Sequence, residues 1–241
     1  MSNISFTQDS RKLYEGKAKA LYEIDKEQIL MVFKDSATAF NAKKSSNIQG
    51  KGELCCEISC ELFKYLETKG IKTHFLKKHS ENSMVVLKTT RLDIEVVLRN
   101  FAEGSIVNRL KVERGKEFKK PLLEFYLKND ELGDPIICES HIIALEIANS
   151  QTLNKIKTIA RRVNSELFEL FKKINLRLVD IKLEFGIKDG EILLIDELSP
   201  DNMRLRDKDD KSFDKDNFRF DLGDIKQAYK EVLSRLRALS K

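Results

Sequence analysis

The sequence predicts an α+β fold of two lobes, with mainly antiparallel sheets and flanking helices. Two observations carry this. Strand-like runs crowd the first hundred or so residues, and helices are interspersed among strands without the regular alternation that a parallel sheet requires. The second is the stretch 178-LVDIKLEFGIKDGEILLID-196, where two alternating segments flank a Lys-Asp-Gly turn and read as one antiparallel hairpin.

Taken in order, short strands are predicted around Tyr14, around Leu21, from Ile29 to Phe33, from Met84 to Lys88 and from Ile94 to Arg99. One helix interrupts them, from about Lys51 to Lys69: Leu54, Ile58, Leu62, Tyr65 and Leu66 form one stripe, and Gly70 stops it. A second helix opens at Ser105 and runs through Ile106 and Leu110 towards Val112. A long third spans about Thr152 to Ile174, with Ile156, Ile159, Val163, Leu167, Leu170 and Ile174 at helical spacing. After the hairpin, a last helix from about Asp224 to Leu239 carries Ile225, Tyr229, Val232 and Leu236. The polar stretch 35-DSATAFNAKKSSN-47 reads as a loop.

At 241 residues, 41% apolar and 34% charged, the chain suits one large domain or two lobes sharing a core. Its formal charge of +5 fits phosphates as well as it fits nucleic acid. No apolar run has the length of a signal peptide or a membrane span, so a cytoplasmic location is expected. Cys55, Cys56, Cys60 and Cys138 make neither a disulfide framework nor a metal pattern and are expected to be small buried fillers. His74, His79 and His141 are too scattered for a metal triad, and no nucleophile elbow is visible.

The hairpin is the most informative element. Asp180, Lys182 and Glu184 alternate with Val179, Ile181, Leu183 and Phe185, so the charged side chains share one face. A three-residue loop, Lys188-Asp189-Gly190, would set Lys182 opposite Asp196, adding Asp196 to that face with Ile192 and Leu194 beside it. Three carboxylates around one lysine are either a solvated sheet face with surface ion pairs or a Mg²⁺ site, since a hard cation takes carboxylate and phosphate oxygens. In the second account Ile192 and Leu194 offer an apolar shelf for a nucleotide base.

Two further stretches fit anions. In 95-EVVLRNFAEGSIVNRLKVERG-115 a strand ends at Arg99 and a helix opens at Ser105, which is either an anion site or an ordinary serine cap beside a surface arginine. In 13-LYEGKAKALYE-23 a glycine turn precedes Lys17 and Lys19; it can cover polyphosphate or be a plain hairpin, and it lacks Walker A spacing.

Five of these segments, LYEGKAK, KDSATAFN, VVLRNFAEGS, LVDIKLEFG and DELSPDNMRLRD, with LKNDELGDP between them, together resemble the SAICAR synthetase family. They occur in family order from about Lys12 to beyond Asp221. The resemblance implies an ATP-dependent ligase of purine biosynthesis that joins L-aspartate to the carboxylate of carboxyaminoimidazole ribonucleotide (CAIR) through an acyl phosphate. It implies a nucleotide-covering lobe at 1–90 and a lobe at 91–241 with the metal and ribonucleotide sites. Gly16, Lys17 and Lys19 would meet ATP phosphates, and Glu184 and Asp196 would hold Mg²⁺. Asp180 would serve a second metal or the substrate, and Lys182 the migrating phosphoryl group. Arg99, Ser105 and Arg204 match ribonucleotide contacts, with Lys128 and Asp134 lining the same pocket; Arg204, Lys182 and Asp180 form the expected catalytic set.

The chain departs from the family pattern at Asn41-Ala42, where an acidic residue and glycine are common, at Glu103, where a small residue is usual, and at Arg206, where an aromatic is frequent. Glu197, on the opposite face next to the Ser-Pro break, has no expected role. Small molecules are the expected partners, with a homodimer by analogy and neither nucleic acid nor membrane. A kinase-like phosphotransferase would need a catalytic-loop Asp in an HRD-like setting, which is absent. An RNA-binding domain would need a continuous basic face, whereas basic and acidic residues alternate here.

Overall fold

The structure is a computed structural model that describes residues 11–39 and 44–239. Three strands come first, β1 (Lys12–Glu15), β2 (Lys19–Glu23) and β3 (Gln28–Phe33). A small hairpin follows, β4 (Ser36–Ala39) with β5 (Lys44–Asn47), and then helix α1 (Lys51–Thr68). Strands β6 (Phe75–Ser80) and β7 (Ser83–Leu87) complete a five-stranded antiparallel sheet in the order β1-β2-β3-β7-β6.

The second sheet has six antiparallel strands: β8 (Thr90–Phe101), β9 (Glu117–Leu127), β10 (Ile136–Ile137), β11 (Arg177–Lys188), β12 (Glu191–Ile195) and β13 (Met203–Arg206). Its central strand β11 pairs with β8 on one side; on the other, β12 covers its second half and β13 its first. The remaining helices are α2 (Ser105–Leu110), α3 (Glu139–Ala144), α4 (Ser150–Lys173), α5 (Asp216–Arg219) and α6 (Ile225–Ala238); α4 packs on β8, β11 and β12 of this sheet, and α6 on α1. Both sheets are antiparallel, as the missing strand–helix alternation predicts.

The long helices bury the stripes their sequences mark. Leu54, Ile58, Leu62 and Leu66 of α1 are buried, as are Ile156, Val163, Leu167 and Leu170 of α4 and Ile225, Tyr229, Val232 and Leu236 of α6. These side chains join the inner faces of both sheets in one core, each burial contributing about 1.5–3 kcal/mol. Gly52 is needed where α1 passes under β3, because a Cβ there would sit 2.8 Å from the Phe33 carbonyl oxygen. The Asp35 carboxylate accepts from the Gly50 and Gly52 N–H groups at 3.1 and 2.9 Å, which satisfies the start of this helix.

Several elements differ from expectation. Within 35–47, Ser36–Ala39 and Lys44–Asn47 pair as antiparallel strands rather than forming a loop, their small side chains fitting that pairing; Asn41 and Ala42 lie outside the described residues. Strands β6, β9, β10 and β13 and helices α3 and α5 carry too little apolar periodicity to announce themselves. In β9, Lys119, Lys120 and Pro121 mask the strand; the proline is tolerated because β10 covers that outer edge only at Phe125 and Tyr126. Helix α2 stops at Leu110, where Lys111 turns left-handed with φ 53°, so Val112 is outside it. Cys138 is exposed, unlike the three buried cysteines of α1.

The hairpin is one residue tighter than predicted. Asp189 and Gly190 have φ of 50° and 77°, and Lys188 pairs with Glu191 across a two-residue loop. Both loop residues are left-handed, the signature of a type I′ turn whose twist matches the strands. Glu184 therefore faces Ile195, and Phe185 faces Leu194. The apolar neighbours on the charged face become Leu193 and Ile195, while Ile192 and Leu194 move to the other face, Leu194 into the core. Asp196 avoids the apolar face by leaving the strand with φ 69°.

Candidate active site

A cleft of about 520 Å³ lies between the two sheets. From the first come Gly16, Lys17, Lys19, Leu21 and Met31, and from the second Glu95, Lys182, Glu184, Ile195 and Asp196; Lys128 and Asp134 close it from the loop after β9. The five-stranded sheet brings the glycine hairpin over the charged face of β11. Within that hairpin the Gly16 N–H donates to the Lys19 carbonyl at 2.8 Å, so Lys17 projects from a closed turn.

The register of β8 against β11 places Glu95 directly opposite Glu184. Two like charges in that position repel, and two lysines compensate. Lys182 Nζ donates to Glu95 at 2.6 Å and to Glu184 at 3.1 Å; Lys128 Nζ donates to Glu184 at 2.8 Å and to Glu95 at 3.3 Å. Burial alone would lower the Lys182 pKa, but the attraction of Glu184 and Glu95 outweighs it and holds the ammonium well above the usual lysine value. Lys182 is thus a permanent cation, suited to stabilising charge and not to acting as a base.

Lys19 Nζ donates to Asp196 at 2.5 Å and to Glu197 at 2.8 Å. Burial would raise the Asp196 pKa, yet Lys19 and Lys182 pull it below the usual carboxylate range, so Asp196 is ionised. The left-handed turn at Asp196 explains why two consecutive acids reach one lysine. Glu197 is not a spare charge on the far face: it accepts from Lys19 and, at 2.5 Å, from the Ser199 hydroxyl, which organises the Ser-Pro break. Lys17 pairs with Asp130 at 2.9 Å, and Asp134 accepts from the Asn129 N–H at 2.9 Å to fold the loop that carries Lys128.

The donor set fits a hard cation. Glu184 and Asp196 are carboxylates on one cleft, and magnesium needs only one or two such oxygens beside phosphate and water. The three ligand atoms of Cys55, Glu197 and Asp201 lie within 4.8 Å of one another but do not form such a site. Burial pushes the Cys55 thiol up, and an un-ionised sulfur is a poor ligand for a hard cation; Asp201 is bonded instead to Lys51 at 2.5 Å and to Tyr229 at 2.6 Å.

A second charged centre lies at the other end of β11. Arg99 stands directly opposite Asp180 and donates to it from Nη1 at 2.8 Å, while Arg204 donates from its own Nη1 to the same Asp180 oxygen at 2.7 Å. Arg99 is further held by Glu124 at 2.8 Å, and Arg204 by Asp216 at 3.0 Å. Ser105 is the first residue of α2, with Gly104 at the cap, and its hydroxyl accepts from Arg99 at 3.4 Å. A Cβ at Gly104 would come within 2.8 Å of the Arg204 guanidinium, so the glycine makes room for it. Asp180 and Glu184 are four residues apart on one strand, about 13 Å, so one ion cannot bridge them. The Asp180 carboxylate is engaged instead in aligning two guanidiniums.

Sequence reasoning missed Glu95, Glu124, His74, Asp201 and Asp216. For Glu95 a signal existed: alternation along β8 puts it on the same face as Arg99. His74 gave none; burial pushes its pKa down to about 4, so the imidazole is neutral, and it bonds the Asp196 carbonyl oxygen at 3.0 Å. Of the family departures, Glu103 pairs with the exposed Arg114 at 3.0 Å, and Arg206 is buried against Asp214 and Asp216.

The SAICAR synthetase family model matches residues 12–236. The phosphoribosylaminoimidazole-succinocarboxamide synthase of Persephonella marina is 50% identical over 228 residues, covering 94% of this chain and 96% of its own length. That of Bacillus subtilis is 48% identical over 227 residues, covering 93% and 94%. The crystal structure of the Ehrlichia chaffeensis synthase superposes with a TM-score of 0.92 at 43% identity, covering 95% of this chain and 99% of that one. A SAICAR synthetase described in complex with ADP gives 0.90 at 46% identity, covering 92% and 96%. With the cleft, its lysine-neutralised carboxylates and the paired guanidiniums all in place along nearly its whole length, the chain belongs to the SAICAR synthetase family and is a ligase of purine biosynthesis.

Proposed function

We propose that the cleft between the sheets binds ATP and that the Arg99–Asp180–Arg204 centre holds the phosphate of CAIR, whose carboxylate is joined to L-aspartate beside Lys182. The observation that carries this is the placement of two differently built charge centres on one strand, β11, with Lys182 between them. Residues 1–90 would form the nucleotide-covering lobe and 91–241 the lobe that holds the acceptor. The base would lie against Leu21, Met31, Leu87 and Ile195, and the phosphates beneath Gly16, Lys17 and Lys19.

Magnesium, held by Glu184 and Asp196, would supply charge neutralisation at the phosphoryl oxygens. A carboxylate oxygen of CAIR attacks the γ-phosphorus, the bond to the bridging oxygen breaks, and ADP leaves. Lys182 and Lys128 neutralise the equatorial oxygens during this transfer, for which positioning and charge suffice without a protein nucleophile. The aspartate amine then attacks the acyl carbon, a C–N bond forms, phosphate departs and the amine loses its proton to solvent or phosphate. Arg99, Ser105 and Arg204, aligned by Asp180, hold the ribonucleotide phosphate in bidentate fashion. The same reading carries a cytoplasmic location and a homodimer, for which exposed Ile136, Ile143 and Leu145 offer apolar contact surface.

The test is aspartate-dependent release of ADP from ATP in the presence of Mg²⁺ and CAIR; nucleotide binding without aspartate-dependent turnover would sink the proposal. Asp196→Asn should stay folded and lose about tenfold or more of its Mg²⁺-dependent ADP affinity, read by calorimetry with and without the metal. Unchanged affinity would remove Asp196 from the metal. Gly104→Ala should raise the KM for CAIR by about tenfold or more, since it displaces a charged hydrogen-bonding group worth about 1.5–3 kcal/mol, and leave ADP affinity alone. An unaltered KM would take Arg204 away from that ligand.

A further inference from the structure

We infer that His74 is a positioning residue that ties the carboxylate-bearing turn at Asp196 to the base-side wall of the cleft. The inference rests on the ATP and Mg²⁺ reading above.

His74 lies at a joint where the chain entering the first sheet meets the end of β12. Thr73 forms an isolated parallel bridge with Leu194, outside both antiparallel sheets. The His74 N–H donates to the Leu194 carbonyl at 3.0 Å, and the His74 carbonyl accepts from the Leu87 N–H at 2.7 Å. One residue's main chain thus joins the end of β12 to the end of β7, where Leu87 lines the cleft. Its side chain makes the third tie, Nε2 to the Asp196 carbonyl oxygen at 3.0 Å.

That third bond has a defined chemistry. A carbonyl oxygen only accepts, so Nε2 must carry a proton and donate it. The ring is buried and packs edge-on against Phe63 with centroids 5.3 Å apart, which fixes its plane. What it holds needs holding: Asp196 is a non-glycine residue at φ 69°, a conformation that persists only when its surroundings over-determine it. Lys19 secures the carboxylate and His74 the carbonyl, so the direction in which Asp196 faces the phosphates depends on both.

A merely structural histidine and a positioning one differ in their consequences. His74→Phe keeps the ring packing and both backbone bonds but removes the donor; His74→Gln supplies an amide N–H in its place. Calorimetry with ADP, ADP with Mg²⁺, and adenosine separates the effects. The Phe variant should keep its adenosine affinity and lose about fivefold of the Mg²⁺-dependent gain for ADP, the net size of one hydrogen bond; the Gln variant should recover it. Long-range ¹H–¹⁵N spectra of the ligand-free wild type, with His74 assigned by the Gln variant among only three histidines, should show a proton on Nε2. An Nδ1–H tautomer, a full Mg²⁺ gain in the Phe variant, or equal losses for adenosine and ADP would each overturn the inference. Should the wild type bind no ADP at all, the proposed function falls, and the tautomer alone decides whether the tie exists.

Discussion

Replacing Lys182 by methionine should lower the aspartate-dependent kcat by about 10²–10³-fold, the usual effect of removing one fixed charge donor from a transition state. Folding should survive it. Lys128 remains 2.8 Å from Glu184 and 3.3 Å from Glu95, so neither carboxylate is left wholly unpaired. ADP affinity should change little, because in the proposed binding mode Lys17 and Lys19 from the hairpin also meet the phosphates. Arginine at 182 should not restore activity: a planar guanidinium cannot reproduce a point ammonium seated between two carboxylates. Rapid-quench measurement of ADP formation in one turnover checks this at the phosphoryl-transfer step. A rate within about tenfold of wild type would assign Lys182 to cancelling the Glu95–Glu184 repulsion alone.

The face that carries this lysine was readable from period-two alternation, because charged and apolar residues alternate strictly from Val179 to Phe185. Asp180, Lys182 and Glu184 had to share a face whatever strand lay beside them. The position of Asp196 was readable only in outcome. A two-residue loop sets Asp196 on the apolar face of the hairpin; the real turn is such a loop, and the chain escapes by a left-handed backbone at Asp196. Positive φ at a non-glycine residue is uncommon and leaves no mark on hydrophobic pattern. The same blind spot hid Glu197, which reaches Lys19 only because of that turn.

Helices α1, α4 and α6 were legible to within a residue or two, since each buries a long stripe. Strands β9 and β13 were not. β9 carries two lysines and a proline along a half-exposed edge, and β13, with two arginines in four residues, looks like a charged loop. What makes β13 a strand is the partner that neutralises it: Asp180 receives Arg204, and Asp214 and Asp216 receive Arg206. Pairings between residues so far apart in sequence follow from the folded sheet and cannot be read from local spacing.

Arg206 gives the largest expected change in stability. It is among the most buried side chains, 2% exposed, and its guanidinium meets Asp214 and, at 2.6 Å, Asp216. Taking away one partner of a buried pair leaves charge unneutralised, at about 3 kcal/mol or more. Arg206→Met should therefore lower the Tm by roughly 6–12 °C, given about 2–4 °C per kcal/mol in a chain of this size. Asp216 keeps Arg204 and Arg219, so most of the loss should come from Asp214, whose remaining partners are the Leu205 and Asp216 N–H groups. Arg206→Met/Asp214→Asn should accordingly recover the greater part of it. Denaturant titrations of the two variants decide: a double variant as unstable as the single one would place the cost in lost packing of the long side chain and not in the orphaned carboxylate. Because Asp216 also orients Arg204, a rise in the KM for CAIR in the single variant, with ADP affinity preserved, would show that the arginine at this family-divergent position supports the ribonucleotide centre as well as the fold.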